Sequence, residues 1–204
     1  EAKQDVRFEL RREAGLIALR GSYEGGRGVG YVTFTPNREF AGVMEQQTNE
    51  SISDRELFSY AVLDVSEAFV KEMQALGFAG LTLADARKLR IHGVTSDYVR
   101  EIRAAGLGGA DLEDVVQLRI HGVTAEYARQ MRALAPETTL DAHDIKQLRI
   151  HGVTPAYVKE MRDAGLGDNL GEIRQLRIHG VTTDYAREMR ALAGSETLDA
   201  GEIR

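Results

Sequence analysis

Apolar residues in this chain recur with the spacing of short amphipathic helices. Leu112, Val115 and Leu118 lie three residues apart in a stretch without Gly or Pro, which predicts a helix with one apolar face. A second type of helix is predicted where Tyr98 and Ile102 lie on one side and charged residues on the other. The two types alternate along the chain, and one of each makes a helical hairpin.

The string Leu-Arg-Ile-His-Gly-Val-Thr occurs four times, and its copies begin at Leu89, Leu118, Leu148 and Leu176. The period is about 29 residues, which is typical of one small unit stacked on itself. The pattern therefore predicts an α-solenoid of helical-hairpin repeats.

Each Gly-Val-Thr triplet has the composition of a helix stop followed by a helix start. Glycine adopts the left-handed conformation that ends many helices, and the apolar residue after it packs back on the last turn. Threonine is a favoured first cap of the next helix. The predicted turn residues are Gly93, Val94, Thr95, Gly122, Val123, Thr124, Gly152, Val153, Thr154, Gly180, Val181 and Thr182.

Diverged copies define the ends of the predicted array, residues 37–204. Ser53 and Glu56 have the spacing of a capping box ahead of a hairpin in which Asp64-Val65-Ser66 replaces Gly-Val-Thr. The units are a half repeat at 37–50, a diverged repeat at 51–80, full repeats at 81–109, 110–138, 139–168 and 169–197, and a partial helix at 198–204.

Residues 1–36 have a different pattern. Val6, Phe8 and Leu10 alternate with charged residues, later segments are rich in β-branched and aromatic residues, and Gly-containing turns separate them. This predicts a three-stranded antiparallel β-meander. Because such a sheet is marginal alone, we expect one face to pack on the first helices as an N-terminal cap. The predicted fold class is α+β, mainly α.

Composition and charge argue against several classes of function for this chain. The chain has 204 residues, 43% hydrophobic and 28% charged, as in ordinary globular proteins. Its net charge of −6 argues against non-specific binding to phosphate backbones, which needs an excess of Lys and Arg. It has no Cys, and therefore no disulfide or thiolate metal site. No segment has the apolar length of a membrane span, so we expect no membrane insertion.

Four histidines, His92, His121, His151 and His179, invite a metal interpretation. Equivalent side chains of packed helices lie about 10 Å apart, whereas zinc ligands lie about 2 Å from the metal. We therefore predict that each His closes a helix C-terminus. No motif places a nucleophile beside a base or builds a phosphate-binding loop. The sequence predicts no enzyme activity, no cofactor and no metal site.

Arginines recur in both helix types. Arg90, Arg119, Arg149 and Arg177 lie at the edge of the apolar stripe. We expect their stems to pack and their guanidinium groups to bond to a neighbouring unit, with binding of an external anion as the alternative. The tyrosines that follow each turn are predicted to pack between hairpins.

The second helices carry a candidate partner surface. Its residues are Arg100, Arg103, Arg129, Arg132, Lys159, Arg162, Arg187 and Arg190. Glu101, Glu160 and Glu188 recur beside them and are expected to neutralise much of their charge. Partner specificity is expected at positions that differ between copies. These positions are Ser96, Ala125, Pro155 and Thr183, and Arg87, Val116, Lys146 and Arg174.

The repeat string with its following Tyr, together with Gly-Tyr-Val-Thr-Phe-Thr-Pro-Asn-Arg-Glu-Phe at residues 30–40, resembles the HGVT-type tail repeats of some bacterial membrane metallopeptidases of the β-lactam-sensor type and of related stand-alone secreted proteins. The resemblance implies an extracytoplasmic, non-catalytic module. That family's zinc motif and membrane helices have no counterpart in this sequence, so the resemblance implies no peptidase role.

Three functions follow from these observations. The leading hypothesis is a non-catalytic scaffold for protein or peptide binding, or for sensing. The second is nucleic-acid binding, because Ile-His-Gly-Val-Thr before a helix is similar to a helix-hairpin-helix turn, although Thr stands where that family has its second glycine. The third is a purely structural spacer.

Overall fold

The structure is a computed structural model that describes residues 3–167, 169–193 and 199–203. These residues form a three-stranded antiparallel sheet followed by helices, which confirms the α+β, mainly α class. The last residues of the predicted repeats 139–168 and 169–197, and both ends of the partial helix 198–204, lie outside the described residues.

The sheet is the predicted meander. Its strands are β1 (Gln4–Arg12), β2 (Gly15–Glu24) and β3 (Arg27–Pro36), in the order β1-β2-β3. The register places Ile17 opposite Leu10 on one side and opposite Phe34 on the other. Because side chains alternate across a strand, these three residues share one face of the sheet.

The helices of the described residues are short, and most have nine residues. They are α1 (Arg38–Thr48), α2 (Asp54–Leu63), α3 (Glu67–Ala75), α4 (Leu83–Ile91), α5 (Ser96–Ala104), α6 (Leu112–Ile120), α7 (Ala125–Ala133), α8 (Ala142–Ile150), α9 (Pro155–Asp163), α10 (Leu170–Ile178), α11 (Thr183–Ala193) and α12 (Ala200–Ile203). The chain divides into two compact units, residues 1–96 and 97–204.

In the first unit, the sheet packs on α2. Ile17 is buried, and the rings of Phe34 and Phe58 meet edge to face at 5.3 Å. An ion pair of 3.0 Å joins Arg12 of the sheet to Asp64, just after α2. One face of the sheet therefore packs against α2.

Helix α2 covers only part of this face of the sheet. Phe8 and Val32, which flank Leu19 in the register, are 62% and 58% exposed. The strands have nine or ten residues, so they extend farther than a ten-residue helix, which rises less per residue. An apolar area remains exposed at the outer end of the sheet.

Local signals determine where the first helices begin. The Asn37 side chain accepts hydrogen bonds from the backbone amides of Glu39 and Phe40 and so caps α1. Ser53 and Glu56 form the predicted capping box at the start of α2. These contacts satisfy amide groups that would otherwise have no partner at a helix start.

The second unit contains successive hairpins, α6 with α7 and α8 with α9. First helices contact first helices, α6 against α8, and second helices contact second helices, α7 against α9. The layer between them is apolar: Leu118, Met131, Ile145 and Met161 are fully buried. The hairpin of α6 and α7 therefore packs its apolar residues against the hairpin of α8 and α9. No helix in the described ranges combines the length and apolar character that a bilayer crossing needs.

Candidate functional site

The Gly-Val-Thr triplets lie at the junctions inside the hairpins. Gly122 has φ of +66°, and the amide of Val123 donates a hydrogen bond of 2.9 Å to the carbonyl of Leu118. The Thr124 hydroxyl accepts a hydrogen bond of 3.1 Å from the amide of Tyr127. This is a Schellman-type stop followed directly by an N-cap.

The other copies have the same backbone geometry. Gly93, Gly152 and Gly180 have φ of +67°, +68° and +70°. Val94, Val153 and Val181 are buried, as Val123 is. Thr154 and Thr182 cap α9 and α11 through the amides of the tyrosines three residues later, and Thr95 precedes α5.

Three tyrosines of the second unit each link one repeat to the next. The hydroxyl groups of Tyr98, Tyr127 and Tyr157 donate hydrogen bonds of 2.9, 2.8 and 2.8 Å to the carbonyls of Val123, Val153 and Val181. All three rings are buried. Burial raises the pKa of Tyr98 and Tyr127 to about 12 and also raises the pKa of Tyr157, because the charged phenolate is poorly solvated there.

An arginine from the next repeat stacks on each of these tyrosines. The guanidinium carbons of Arg119, Arg149 and Arg177 lie 5.0, 5.2 and 5.0 Å from the ring centroids of Tyr98, Tyr127 and Tyr157. These distances are within the range of cation–π attraction. Arginine and tyrosine together therefore join adjacent repeats, and the rings are core aromatics between hairpins.

The diverged hairpin of the first unit varies this arrangement. Arg90 stacks on Phe69 at 5.1 Å, and its guanidinium also bonds to the carbonyl of Leu63 and the carboxylate of Asp64. Asp64 occupies the turn position that glycine has in the other copies, with φ of +58°. This arginine therefore bonds to a neighbouring unit as the sequence predicts.

The candidate partner surface separates into two rows. The outer row, Arg100, Arg129, Lys159 and Arg187, is exposed. Three of its members pair with the carboxylates three residues earlier, Asp97, Glu126 and Asp184. In these three ion pairs the partner is the carboxylate three residues earlier on the same helix, in the first turn.

The inner row consists of Arg103, Arg132, Arg162 and Arg190, which are half-buried. Three of these arginines donate hydrogen bonds to backbone carbonyls of the protein itself. Arg162 donates to the carbonyl of Leu134 at 2.7 Å, Arg190 donates to that of Ala164 at 2.9 Å, and Arg132 donates to that of Leu140. Arg103, at the equivalent position of α5, is also half-buried. The geometry leaves the outer row as the more accessible part of this surface.

The histidines form the C-caps of the first helices. His92, His121, His151 and His179 have φ between −88° and −84° and follow the last helical residue of α4, α6, α8 and α10. No group of three or more His, Asp or Glu in the described part of the chain is arranged to hold a metal ion.

Two of the positions expected to vary at the partner surface are buried instead. Val116 has no exposed area, and Ala125 is 6% exposed. The prediction was wrong at these two positions, because a buried side chain is not available to a partner. The equivalent positions Lys146 and Pro155 are half-buried.

Sequence reasoning did not single out the isoleucines of the repeat string. Ile120, Ile150 and Ile178 are 48%, 45% and 45% exposed, and Ile91 is 56% exposed. They lie in the last turn of each first helix, off the buried stripe. The available signal was an apolar residue, identical in every copy, at a position that the helical period places outside the core.

Two cavities of about 500 and 480 Å³ lie at equivalent places in successive repeats of the second unit. Each contains a half-buried arginine, Arg132 or Arg162, and a capping carboxylate, Asp114 or Asp144. The carboxylates already accept hydrogen bonds from the amides at the starts of their helices. The arginines already donate hydrogen bonds to backbone carbonyls. The cavities are therefore polar depressions between repeats.

Comparison of the chain with family models, with curated proteins and with solved structures found no match.

Proposed function

We propose that the chain is a non-catalytic α-solenoid scaffold that binds a protein or peptide partner. The observation that carries the proposal is how the repeated residues are used. Leu118 and Val123 are buried, Gly122 and Thr124 form the turn, and Arg119 stacks on an aromatic ring. Most identical residues thus stabilise the array, which leaves the exposed faces to carry function.

The outer row differs from repeat to repeat in a way that suits partner selection. Arg100, Arg129 and Arg187 each pair with a carboxylate three residues earlier. The residue three positions before Lys159 is Ala156. Charge on this row therefore changes along the second unit while the packing beneath it stays the same.

The proposed location is extracytoplasmic, and it rests only on the resemblance to the tail repeats of bacterial membrane metallopeptidases of the β-lactam-sensor type. Cell fractionation of the producing organism tests it. Recovery of the protein with the cytosolic markers would contradict this part of the proposal.

Quantitative cross-linking in intact cells tests the scaffold function. A variant with serine at Arg100, Arg129, Lys159 and Arg187 should lose its cross-linked protein partners while keeping its thermal midpoint, because these side chains are exposed. A matched control carries serine at the exposed residues Glu113, Glu137 and Glu172. Absence of any specific protein partner, or nucleic acid as the main cross-linked species, would contradict the proposal.

A further inference from the structure

Arginines at the same repeat position have two different surroundings. In the diverged hairpin, Asp64 follows the first helix and its carboxylate accepts a hydrogen bond of 3.0 Å from the guanidinium of Arg90, which stacks on Phe69. Asp64 immediately precedes the turn valine, Val65. A carboxylate at this turn therefore fits the stacked arginine of the next repeat.

In the second unit, glycine takes the place of Asp64. A Cβ atom built on Gly122 would lie 3.9 Å from Nη2 of Arg149, and one on Gly152 would lie 3.8 Å from Nε of Arg177. Each guanidinium thus lies beside its glycine turn. The arrangement matches that of Arg90, except that the turn residue has no side chain to offer.

The guanidinium groups of Arg149 and Arg177 have unused hydrogen-bonding capacity. Both side chains are exposed, and among the described residues no carboxylate or carbonyl oxygen accepts a hydrogen bond from either group. Each group is held over a tyrosine ring. A stacked, planar guanidinium is oriented in advance for a carboxylate, which lowers the entropy cost of binding.

Exposed apolar side chains accompany these arginines. Ile120 lies two residues before Gly122, and Ile150 lies two residues before Gly152. They are 48% and 45% exposed. The surface therefore offers a cation and an apolar contact near each turn.

We propose that the turns at Gly122 and Gly152 are carboxylate-binding sites for an acidic peptide. Arg149 and Arg177 bind its Asp or Glu side chains, and Ile120 and Ile150 contact its apolar residues. The inference rests on the proposed scaffold function and names the class of partner at one of its surfaces.

The chemistry of this surface favours an acidic peptide over nucleic acid. The arginines cover the faces of Tyr127 and Tyr157, so these rings are not available for stacking with bases. An isoleucine offers a base no hydrogen bond and suits an apolar side chain. The net charge of −6 also opposes a polyanion more strongly than a short peptide.

The first test introduces a carboxylate at the turn and measures its pKa by NMR. In Gly122→Asp and in Gly152→Asp, we expect a pKa about 1 below that in Gly180→Asp, because an adjacent guanidinium favours the charged form. Gly180 is the matched control: it has a similar positive φ, and a Cβ there meets no atom of the described residues within 4 Å. Equal pKa values in the three variants would overturn the proposal.

The second test measures binding of a fluorescein-labelled synthetic peptide in which glutamates alternate with leucines, by anisotropy. The double variant Gly122→Asp/Gly152→Asp supplies its own carboxylates and should weaken binding about tenfold, equivalent to about 1.4 kcal/mol. Gly122→Asn/Gly152→Asn is the control, since Asn tolerates the left-handed conformation but has no charge. It should bind as the parent protein does.

Other outcomes of the peptide test contradict the site. Equal binding by the Asp and Asn double variants would show that the arginines do not hold carboxylates of the peptide. Binding of a single-stranded oligonucleotide that is lost in Arg149→Gln/Arg177→Gln, with no binding of the peptide, would assign the site to nucleic acid. If cross-linked protein partners persist in Gly122→Asp/Gly152→Asp, the scaffold function stands and this site fails.

Discussion

The hydroxyl group of Tyr127 donates a hydrogen bond of 2.8 Å to the backbone carbonyl of Val153, in the turn of the following repeat. Val153 has no exposed area, so water could not replace the hydroxyl as the hydrogen-bond partner of this carbonyl. The turn of one repeat is therefore held by the aromatic residue of the repeat before it. This contact joins two adjacent hairpins.

Removing that hydroxyl should destabilise the second unit. We expect Tyr127→Phe to lower the free energy of unfolding by about 1 to 2 kcal/mol, because a buried carbonyl loses its donor. Urea denaturation measures the change. Tyr185→Phe is the control, since Tyr185 is 42% exposed and its hydroxyl has no acceptor among the described residues. Equal midpoints for the two variants would show that the hydrogen bond contributes nothing.

Replacing a turn glycine with a β-branched residue should also be costly. Gly122 has φ of +66°, where valine is strained by about 1 to 3 kcal/mol. Gly122→Val is therefore expected to lower both the thermal and the urea midpoint. Gly109→Val is the comparison, because Gly109 has no positive φ and a Cβ there meets no atom within 4 Å. If Gly109→Val is the more damaging change, the role given to the turn is wrong.

Stability should decrease in alkaline solution. The pKa of Tyr127 is about 12 in the folded protein and about 10 in the unfolded chain. A raised pKa contributes stability that is complete below pH 10 and is lost as the pH rises toward 12. Urea midpoints measured from pH 9 to pH 12 should fall above pH 10, and less steeply in Tyr127→Phe. A parallel fall in both proteins would exclude this tyrosine as the cause.

Zinc should bind weakly. The histidines that end the first helices are one to a repeat, and no group of His, Asp or Glu in the described ranges is arranged for a metal. Isothermal titration at neutral pH should reveal no stoichiometric site tighter than about micromolar, because a structural zinc site needs converging ligands. A tight site that disappears in His121→Ala/His151→Ala would contradict the capping role of these residues.

Nucleic acid should not bind at near-physiological salt. Arg100, Arg129 and Arg187 are paired with carboxylates, which reduces the counterion release that drives such binding. A gel-shift assay with single- and double-stranded DNA should show no complex at about micromolar protein and about 150 mM salt. A complex that weakens with salt and is lost in Arg100→Ala/Arg129→Ala/Arg187→Ala would favour the nucleic-acid hypothesis over the scaffold.

Interactions between repeats determined which side chains are buried and which partners the arginines bond to, and the sequence alone did not predict these contacts. Val116 and Ala125 are buried although charged or polar residues occupy their positions in other copies. Arg162 was expected at a partner surface, yet it donates to the carbonyl of Leu134, 28 residues away. Such partners depend on the placement of a neighbouring hairpin, which no local pattern specifies.

The sequence by itself determined the elements and their boundaries. Capping residues such as Ser53, the left-handed turn at Gly122 and the alternation in β1 act through hydrogen bonds and side-chain contacts within a few residues, so they can be recognised in the chain. Only the tertiary structure decided which groups each arginine contacts. The guanidinium of Arg90 bonds to the carboxylate of Asp64, whereas that of Arg149 lies beside Gly122, which has no side chain. Each of these turns belongs to the preceding repeat, so the contact depends on how the two repeats pack.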